Sequence, residues 1–140
     1  MKKYDEGNSF HRKYTKTLMI ISAIFLAVNG FGFTFFPNEI ADLLINDDNY
    51  IFILILQILG ALYLGFSILN WMSKASLIGG IYNKPILIGN LLHFFTASMA
   101  LIKLAFNVET NLQLIFSYTI IYSLFTLFFG YVFFTNPSLK

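Results

Sequence analysis

The chain has 140 residues, of which 57% are hydrophobic, 19% aromatic and 11% charged, and its formal net charge is +2. This composition excludes a soluble domain, because the long apolar runs contain too few polar residues to give each helix a polar face. The small net charge gives no sign of nucleic-acid binding, and the lack of cysteine excludes disulfides and thiolate chemistry.

Four apolar segments can each cross a bilayer as an α-helix: residues 18–36, 51–72, 85–106 and 112–134. At about 1.5 Å per residue they are roughly 28–35 Å long, which matches the hydrocarbon thickness. Helices are expected because backbone amides find no water in that layer. The short connections imply antiparallel neighbours. The sequence therefore predicts an all-α, up-down-up-down bundle of four transmembrane helices in a single domain, residues 1–140.

The first segment has the basic lead-in of a secretory signal peptide. Its apolar core from Leu18 to Phe36 is longer than an ordinary signal core, and residues 29–32 (Asn-Gly-Phe-Gly) do not form a small-x-small cleavage site. We therefore interpret this segment as a retained signal anchor that crosses the membrane.

The distribution of Lys and Arg predicts the orientation of the four helices. One side of the membrane receives most of the basic residues: Lys2, Lys3, Arg12, Lys13, Lys16, Lys74, Lys84 and Lys140. The other side receives the acidic residues Glu39, Asp42, Asp47, Asp48 and Glu109, with Lys103 as its one basic residue. The positive-inside rule therefore places both termini in the cytoplasm.

Polar and small residues inside the segments recur at helical spacing and predict packing seams. In the second segment Tyr63, Ser67 and Asn70 share one face, and Gly60, Ala61 and Gly65 are small. The third segment has a seam of Gly89, His93, Thr96, Ala100 and Lys103, and the fourth has one of Thr119, Tyr122, Ser123, Thr126 and Gly130. Membrane helices approach closely and hydrogen-bond along such seams, so helix packing is the expected role.

His93 is the residue that most suggests a function, because imidazole exchanges protons near neutral pH and ionisable groups inside membranes are costly. A structural role would bond it to Asn70, Tyr63 or a hydroxyl of the fourth segment. A functional role would place it in an amphiphile-binding site, for a lipid or a quinone. The candidate ligand-binding residues are His93, Asn90, Asn70, Tyr63 and Asn29.

The sequence gives little support to catalysis, cofactors or metals. Ser67 with His93 is the one candidate nucleophile and base, and it has no flanking oxyanion-loop signature. No carboxylate lies within any predicted segment, so His93 lacks companions for a metal and for a proton relay. We predict no catalytic residue, no metal and no cofactor.

The segments between the helices suggest interfacial structure. Asn38 can cap a short helix that runs to Leu44. The acidic residues of this helix, together with Asp47 and Asp48, form either a solvated turn or, less in keeping with their spacing, a calcium site. Residues 77–82 (Leu-Ile-Gly-Gly-Ile-Tyr) suit either an interfacial bend or a lid over a cavity. The aromatic and basic residues at positions 10–16 suit anionic lipid headgroups.

Three short motifs carry a resemblance to small bacterial membrane proteins of unknown function: residues 35–37 (Phe-Phe-Pro), 60–65 (Gly-Ala-Leu-Tyr-Leu-Gly) and 93–94 (His-Phe). In outline the four helices also resemble the DoxX family. The resemblance covers all four segments. It implies a bacterial inner membrane, but no activity and no site residue.

Two hypotheses follow. In the first, the chain is a structural or interaction protein of the inner membrane, and its partners are its own helices, a second copy or another membrane protein. In the second, the cytoplasmic half of the bundle binds a small amphiphile around His93. The first predicts polar side chains that bond to each other, and the second predicts a cavity at the five candidate residues.

Overall fold

A computed structural model describes the backbone of residues 2–45, 49–75, 83–107 and 111–135, and within the first range the side chains of residues 13–44. These ranges contain five α-helices and no β-strand: α1 (Lys2–Phe35), α2 (Pro37–Ile45), α3 (Tyr50–Ser73), α4 (Lys84–Ala105) and α5 (Leu112–Thr135). The predicted all-α class is confirmed.

Four of these helices are long and apolar enough to cross a membrane. The candidate spans are Lys13–Phe35 within α1, then Tyr50–Ser73, Lys84–Ala105 and Leu112–Thr135. They have 22 to 24 residues, so each is about 33–36 Å long. The four predicted segments are therefore confirmed, and their bounds differ from the helices by a few residues at most, except at the start of α1.

Helix α1 begins at Lys2, sixteen residues before the predicted apolar segment. The sequence from residue 2 to residue 17 contains no proline and a single glycine, so nothing in it ends a helix. The basic residues expected beside the membrane are therefore part of a helix. Lys13, Tyr14 and Lys16 are exposed.

The chain divides into two compact units. The α1–α3 unit comprises Met19–Ala75 and therefore the second half of α1, all of α2 and all of α3. The α4–α5 unit comprises Met1–Leu18 and Ser76–Lys140. Each contains an antiparallel pair of long helices, as the short connections predict, and each is described by itself below. The single domain stays a prediction.

Helices α1 and α2 meet at Phe36. Its amide N–H donates to the Gly32 carbonyl at 2.8 Å, which extends the bonding of α1, and its carbonyl accepts from the Ile40 N–H at 3.2 Å, which begins α2. Pro37 occupies the first position of α2, where a missing N–H costs nothing. The short helix is thus confirmed, but Asn38 does not cap it, since Asn38 lies inside the first turn.

Asn49 caps helix α3. Its side-chain oxygen accepts from the Ile51 N–H at 2.9 Å and from the Phe52 N–H at 3.3 Å. These bonds satisfy donors that the first turn of a helix leaves without partners. At the other end, the Lys74 ammonium lies 3.0 Å from the centre of the Trp71 ring. A tryptophan beside a lysine is typical of the membrane–water interface.

Large apolar side chains are exposed along the four long helices. Val28 of α1 is 67% exposed, and Leu127 of α5 is 68% exposed. Water would make such continuous apolar exposure costly, whereas lipid chains solvate it. The surface of the protein therefore fits a multi-pass membrane protein.

Candidate functional site

The α1–α3 unit is held at a contact between two glycines, Gly30 and Gly60. A Cβ atom at Gly30 would lie 2.9 Å from the Gly60 carbonyl oxygen and 2.9 Å from the Leu64 nitrogen. A Cβ at Gly60 would lie 2.8 Å from the Thr34 nitrogen and 2.9 Å from the Gly30 oxygen. Real Cβ atoms do not come so close to backbone atoms. Glycine at both positions is therefore what lets the two backbones touch.

The hydroxyl of Thr34 completes this glycine contact. Its Oγ1 atom is buried and has no hydrogen-bond partner among the described residues, and it lies directly against the position that a Cβ of Gly60 would take. The hydrogen that replaces this Cβ faces the oxygen. A Cα–H···O contact of this kind recurs where helices cross closely, and it accounts for a buried hydroxyl without a conventional donor or acceptor.

Two hydrogen bonds join α1 to α3 between the glycine contact and the start of α1. Ser67 Oγ donates to the Ala23 carbonyl at 2.8 Å, and Asn70 Nδ2 donates to Ser22 Oγ at 3.0 Å. The Ser22 hydroxyl in turn donates to the Met19 carbonyl at 3.1 Å. All of these atoms are in buried surroundings. The bonds pair α1 and α3 in antiparallel register.

The predicted polar face of α3 is confirmed, because Tyr63, Ser67 and Asn70 are all buried. Of the predicted small seam, Gly60 packs against α1. A packing role for the other two residues stays a prediction. Ala61 and Gly65 are exposed, and a Cβ at Gly65 would have no heavy atom of the described residues within 4 Å. Five residues turn a helix by about 140° beyond a full turn, so Gly60 and Gly65 point to different sides.

Three of the five candidate ligand residues belong to the α1–α3 unit. Asn29 is buried, and its Nδ2 donates to the Phe25 carbonyl at 2.8 Å. The Tyr63 ring is buried, and its centre lies 5.7 Å from that of the Phe33 ring. Asn70 is fully buried and bonds to Ser22. Each of these three contacts is made to a residue of α1, within the helix itself for Asn29.

The α4–α5 unit is centred on Phe94 of α4, which is fully buried. Its ring stacks on Phe125 with the ring centres 4.5 Å apart, and on Phe129 with the centres 5.5 Å apart. Tyr122 lies on the same ring at 5.4 Å. Stacked aromatic pairs of this kind stabilise a contact by about 0.5–1.5 kcal/mol each beyond the area that they bury.

The other two candidate ligand residues, Asn90 and His93, lie on α4. Asn90 is fully buried, and its Nδ2 donates to the Ile86 carbonyl at 2.9 Å. The His93 ring lies at the edge of the aromatic cluster, with its centre 6.0 Å from Tyr122 and 5.0 Å from Phe94. The imidazole therefore packs against the ring of Tyr122 in α5. The expected hydrogen bond to Asn70, Tyr63 or a hydroxyl of the fourth segment stays a prediction. The amphiphile site at the five residues stays a prediction.

The predicted seam of α4 meets α5 at His93, whose ring contacts Tyr122, but not along its length. Thr96, Ala100 and Lys103 are exposed, whereas the buried residues of α4 are Leu87, Asn90, Phe94 and Ser98. The α5 seam contributes Tyr122, which is buried, and Thr126, whose Oγ1 lies 3.4 Å from Ser98 Oγ. Stacking of large rings, and not the smallness of side chains, decides which face of α4 meets α5.

An open apolar groove of about 510 Å³ lies along α4 and α5. It is lined by Leu91, Leu92, Phe95, Thr126, Leu127, Gly130, Tyr131 and Phe134. Neither Asn90 nor His93 is among these residues.

Metal and lid hypotheses receive no support from the described residues. Within the ranges that the structure covers, no group of three or more His, Cys, Asp or Glu side chains could hold a metal ion. The calcium hypothesis rests in part on Asp47 and Asp48, and the lid hypothesis on residues 77–82. Both fall outside the described residues.

Several residues of the α1–α3 contact were not singled out in the sequence, namely Ser22, Ala23 and Thr34. A signal for Ser22 exists, since it precedes Asn29 by seven residues, which is two helical turns.

Comparison with models of known protein families, with curated proteins and with solved structures finds no match.

The bond between Asn70 and Ser22 can be measured by a double-mutant cycle with Asn70→Ala and Ser22→Ala. We expect a coupling free energy of about 0.6–1.7 kcal/mol in unfolding from detergent micelles, the range found for hydrogen bonds between membrane helices. The control cycle combines Asn70→Ala with Asn49→Ala, about 30 Å along the same helix, and should be additive. Additivity in both cycles would show that the bond contributes nothing.

Proposed function

We propose that the chain is an integral membrane protein whose role is structural or interaction-based and is exerted by helix association, in a bacterial inner membrane. One observation carries this proposal: several small and polar groups inside the spans contact another helix of the same unit. The glycine contact, the two bonds from α3 to α1 and the Thr126–Ser98 contact are all of this kind.

The bilayer explains why such contacts matter. Lipid chains are as apolar as leucine side chains, so burial of apolar surface does not draw membrane helices together. Close backbone approach and hydrogen bonds supply the attraction instead. A site for a soluble substrate would need polar groups that converge on open space, whereas Ser67, Asn70 and Asn90 donate to other protein groups.

The proposal includes an orientation with both termini in the cytoplasm. It is supported by the basic residues at the start of α1 and α4 and by the Trp71–Lys74 pair at the end of α3. The acidic α2 lies at the opposite end of α3, where Glu39 and Asp42 are exposed. This distribution of charge follows the positive-inside rule.

Cysteine labelling tests the orientation, because the chain has no cysteine of its own. Asn83 precedes α4 and Asn107 follows it, so the two residues lie on opposite sides of the membrane. In intact spheroplasts a membrane-impermeant maleimide should label Asn107→Cys, and it should label Asn83→Cys only after permeabilisation. The reverse pattern would place the termini outside.

Alanine substitution at two glycines of α3 tests the proposed role of helix association. Gly60→Ala should lower the free energy of unfolding by about 1–3 kcal/mol, since the new methyl group forces α1 and α3 apart. Gly65→Ala is the matched control and should raise stability by up to about 1 kcal/mol, because alanine favours the helix and meets open space. Both can be measured by denaturant titration in micelles.

Equal effects of the two substitutions would contradict the proposal. They would mean that α1 and α3 do not rely on a glycine contact, and that the small residues in the spans serve another purpose.

A further inference from the structure

Two lysines on one face of α1 lie where this helix enters the membrane. Helix α1 runs from Lys2 to Phe35 without a break, and its candidate span begins at Lys13. Lys16 lies about 4.5 Å further along the axis. Residues three apart share a face of a helix, and both lysines are exposed, whereas Thr15 between them is buried. The two lysines therefore lie outside the packed side of α1.

Neither lysine forms an ion pair with a residue that the structure describes. Like charges on one helix face repel each other, so Lys13 and Lys16 call for a counter-charge. Glu39 and Asp42 do not supply it. They belong to α2, which follows the far end of α1, and that end is about 30 Å from Lys16 along the helix.

The other acidic residues of the chain are no better placed to pair with these lysines. Asp5 and Glu6 precede Lys13 by eight and seven residues, about 10–12 Å along the helix, whereas helix side chains pair at spacings of three and four. The remaining acids follow α2 or α4 in the sequence, which assigns them to the side of the membrane opposite the start of α1: Asp47, Asp48 and Glu109. The counter-charge therefore comes from outside the chain.

We propose that the start of α1 binds the phosphate groups of anionic phospholipids through Lys13 and Lys16. The depth of the two residues selects this partner, because the first turn of a span lies level with the lipid headgroups. A lysine stem can lie along apolar surface while its ammonium group reaches the headgroup layer. Tyr14 is 58% exposed beside the lysines, and tyrosine is enriched at the same depth.

Binding of these headgroups gives α1 a fixed depth in the membrane. The backbone does not mark the boundary, because α1 continues through Lys13 as a regular helix. Headgroups that hold Lys16 also fix the level of Gly30, which lies about 21 Å further along the same helix. The lipid site goes beyond the proposed helix association, since it assigns a partner to a part of α1 outside the glycine contact.

Fluorescence quenching by brominated lipids tests the proposal, because Trp71 is the one tryptophan of the chain and can be replaced. Tyr14→Trp in a Trp71→Phe background places a single fluorophore beside the two lysines. This protein is reconstituted in phosphatidylcholine that contains a fixed fraction of either phosphatidylglycerol or phosphatidylcholine with bromine near the top of its acyl chains. We expect stronger quenching by the brominated phosphatidylglycerol. Equal quenching by the two lipids would overturn the proposal.

Lysine replacement in the same background assigns the preference to its residues. Lys13→Gln and Lys16→Gln should each lower the affinity for phosphatidylglycerol, relative to phosphatidylcholine, by about fivefold. The matched control is Thr17→Gln, an exposed neutral position on the same turn, and it should leave the preference unchanged. Replacement of both lysines by arginine should retain the preference. A preference that survives the loss of both positive charges would overturn the proposal.

The failure of the lipid site and the failure of the proposed function are separable. Gly60→Ala reports on the α1–α3 contact, by a loss of unfolding stability. If that loss is found while the two brominated lipids quench equally, the lipid site is wrong and the helix-association role stands. If Gly60→Ala has no effect, the proposed function fails whatever the quenching result.

Discussion

The contact between the backbones of Gly30 and Gly60 is the constraint on which the α1–α3 unit depends. A bilayer offers no hydrophobic force to bring two apolar helices together, so their attraction must come from close packing and from polar bonds. At the glycine contact each backbone faces the carbonyl oxygen of the other, with the Thr34 hydroxyl beside them. No residue with a side chain could occupy either position without separating the helices.

The pairing of the polar residues in the unit follows from that contact. Once α1 and α3 are fixed at the glycines, helical geometry brings Ser67 to Ala23 and Asn70 to Ser22 further along the pair. Each bond gives a buried polar side chain of α3 a partner on α1. The two helices of the α4–α5 unit are held together in a different way, because the stacked ring of Phe94 fills the centre of the unit.

The sequence was sufficient for the spans and for one polar face, because length, apolar content and periodicity are local properties of the chain. The Tyr63–Ser67–Asn70 face was predicted correctly since its spacing follows the helical repeat. The predicted seam of α4 is exposed at Thr96, Ala100 and Lys103 and does not form the main contact with α5. Small residues at helical spacing mark a stripe, but they do not say whether a partner helix or lipid covers it. In α4 the ring of Phe94 determines which face packs against α5. Its stacking on Phe125 and Phe129 is a contact between residues distant in sequence.

The same ambiguity applies to Gly60 and Gly65, because the two glycines look alike in the sequence but face different surroundings in the fold. The most direct test of the account is therefore solid-state NMR of the protein in lipid bilayers with ¹³C-labelled glycine. We expect a through-space cross-peak between Gly30 and Gly60 that is stronger than any between Gly30 and Gly65. Absence of the Gly30–Gly60 cross-peak, with both helices intact, would contradict the close approach on which the rest of the α1–α3 unit depends.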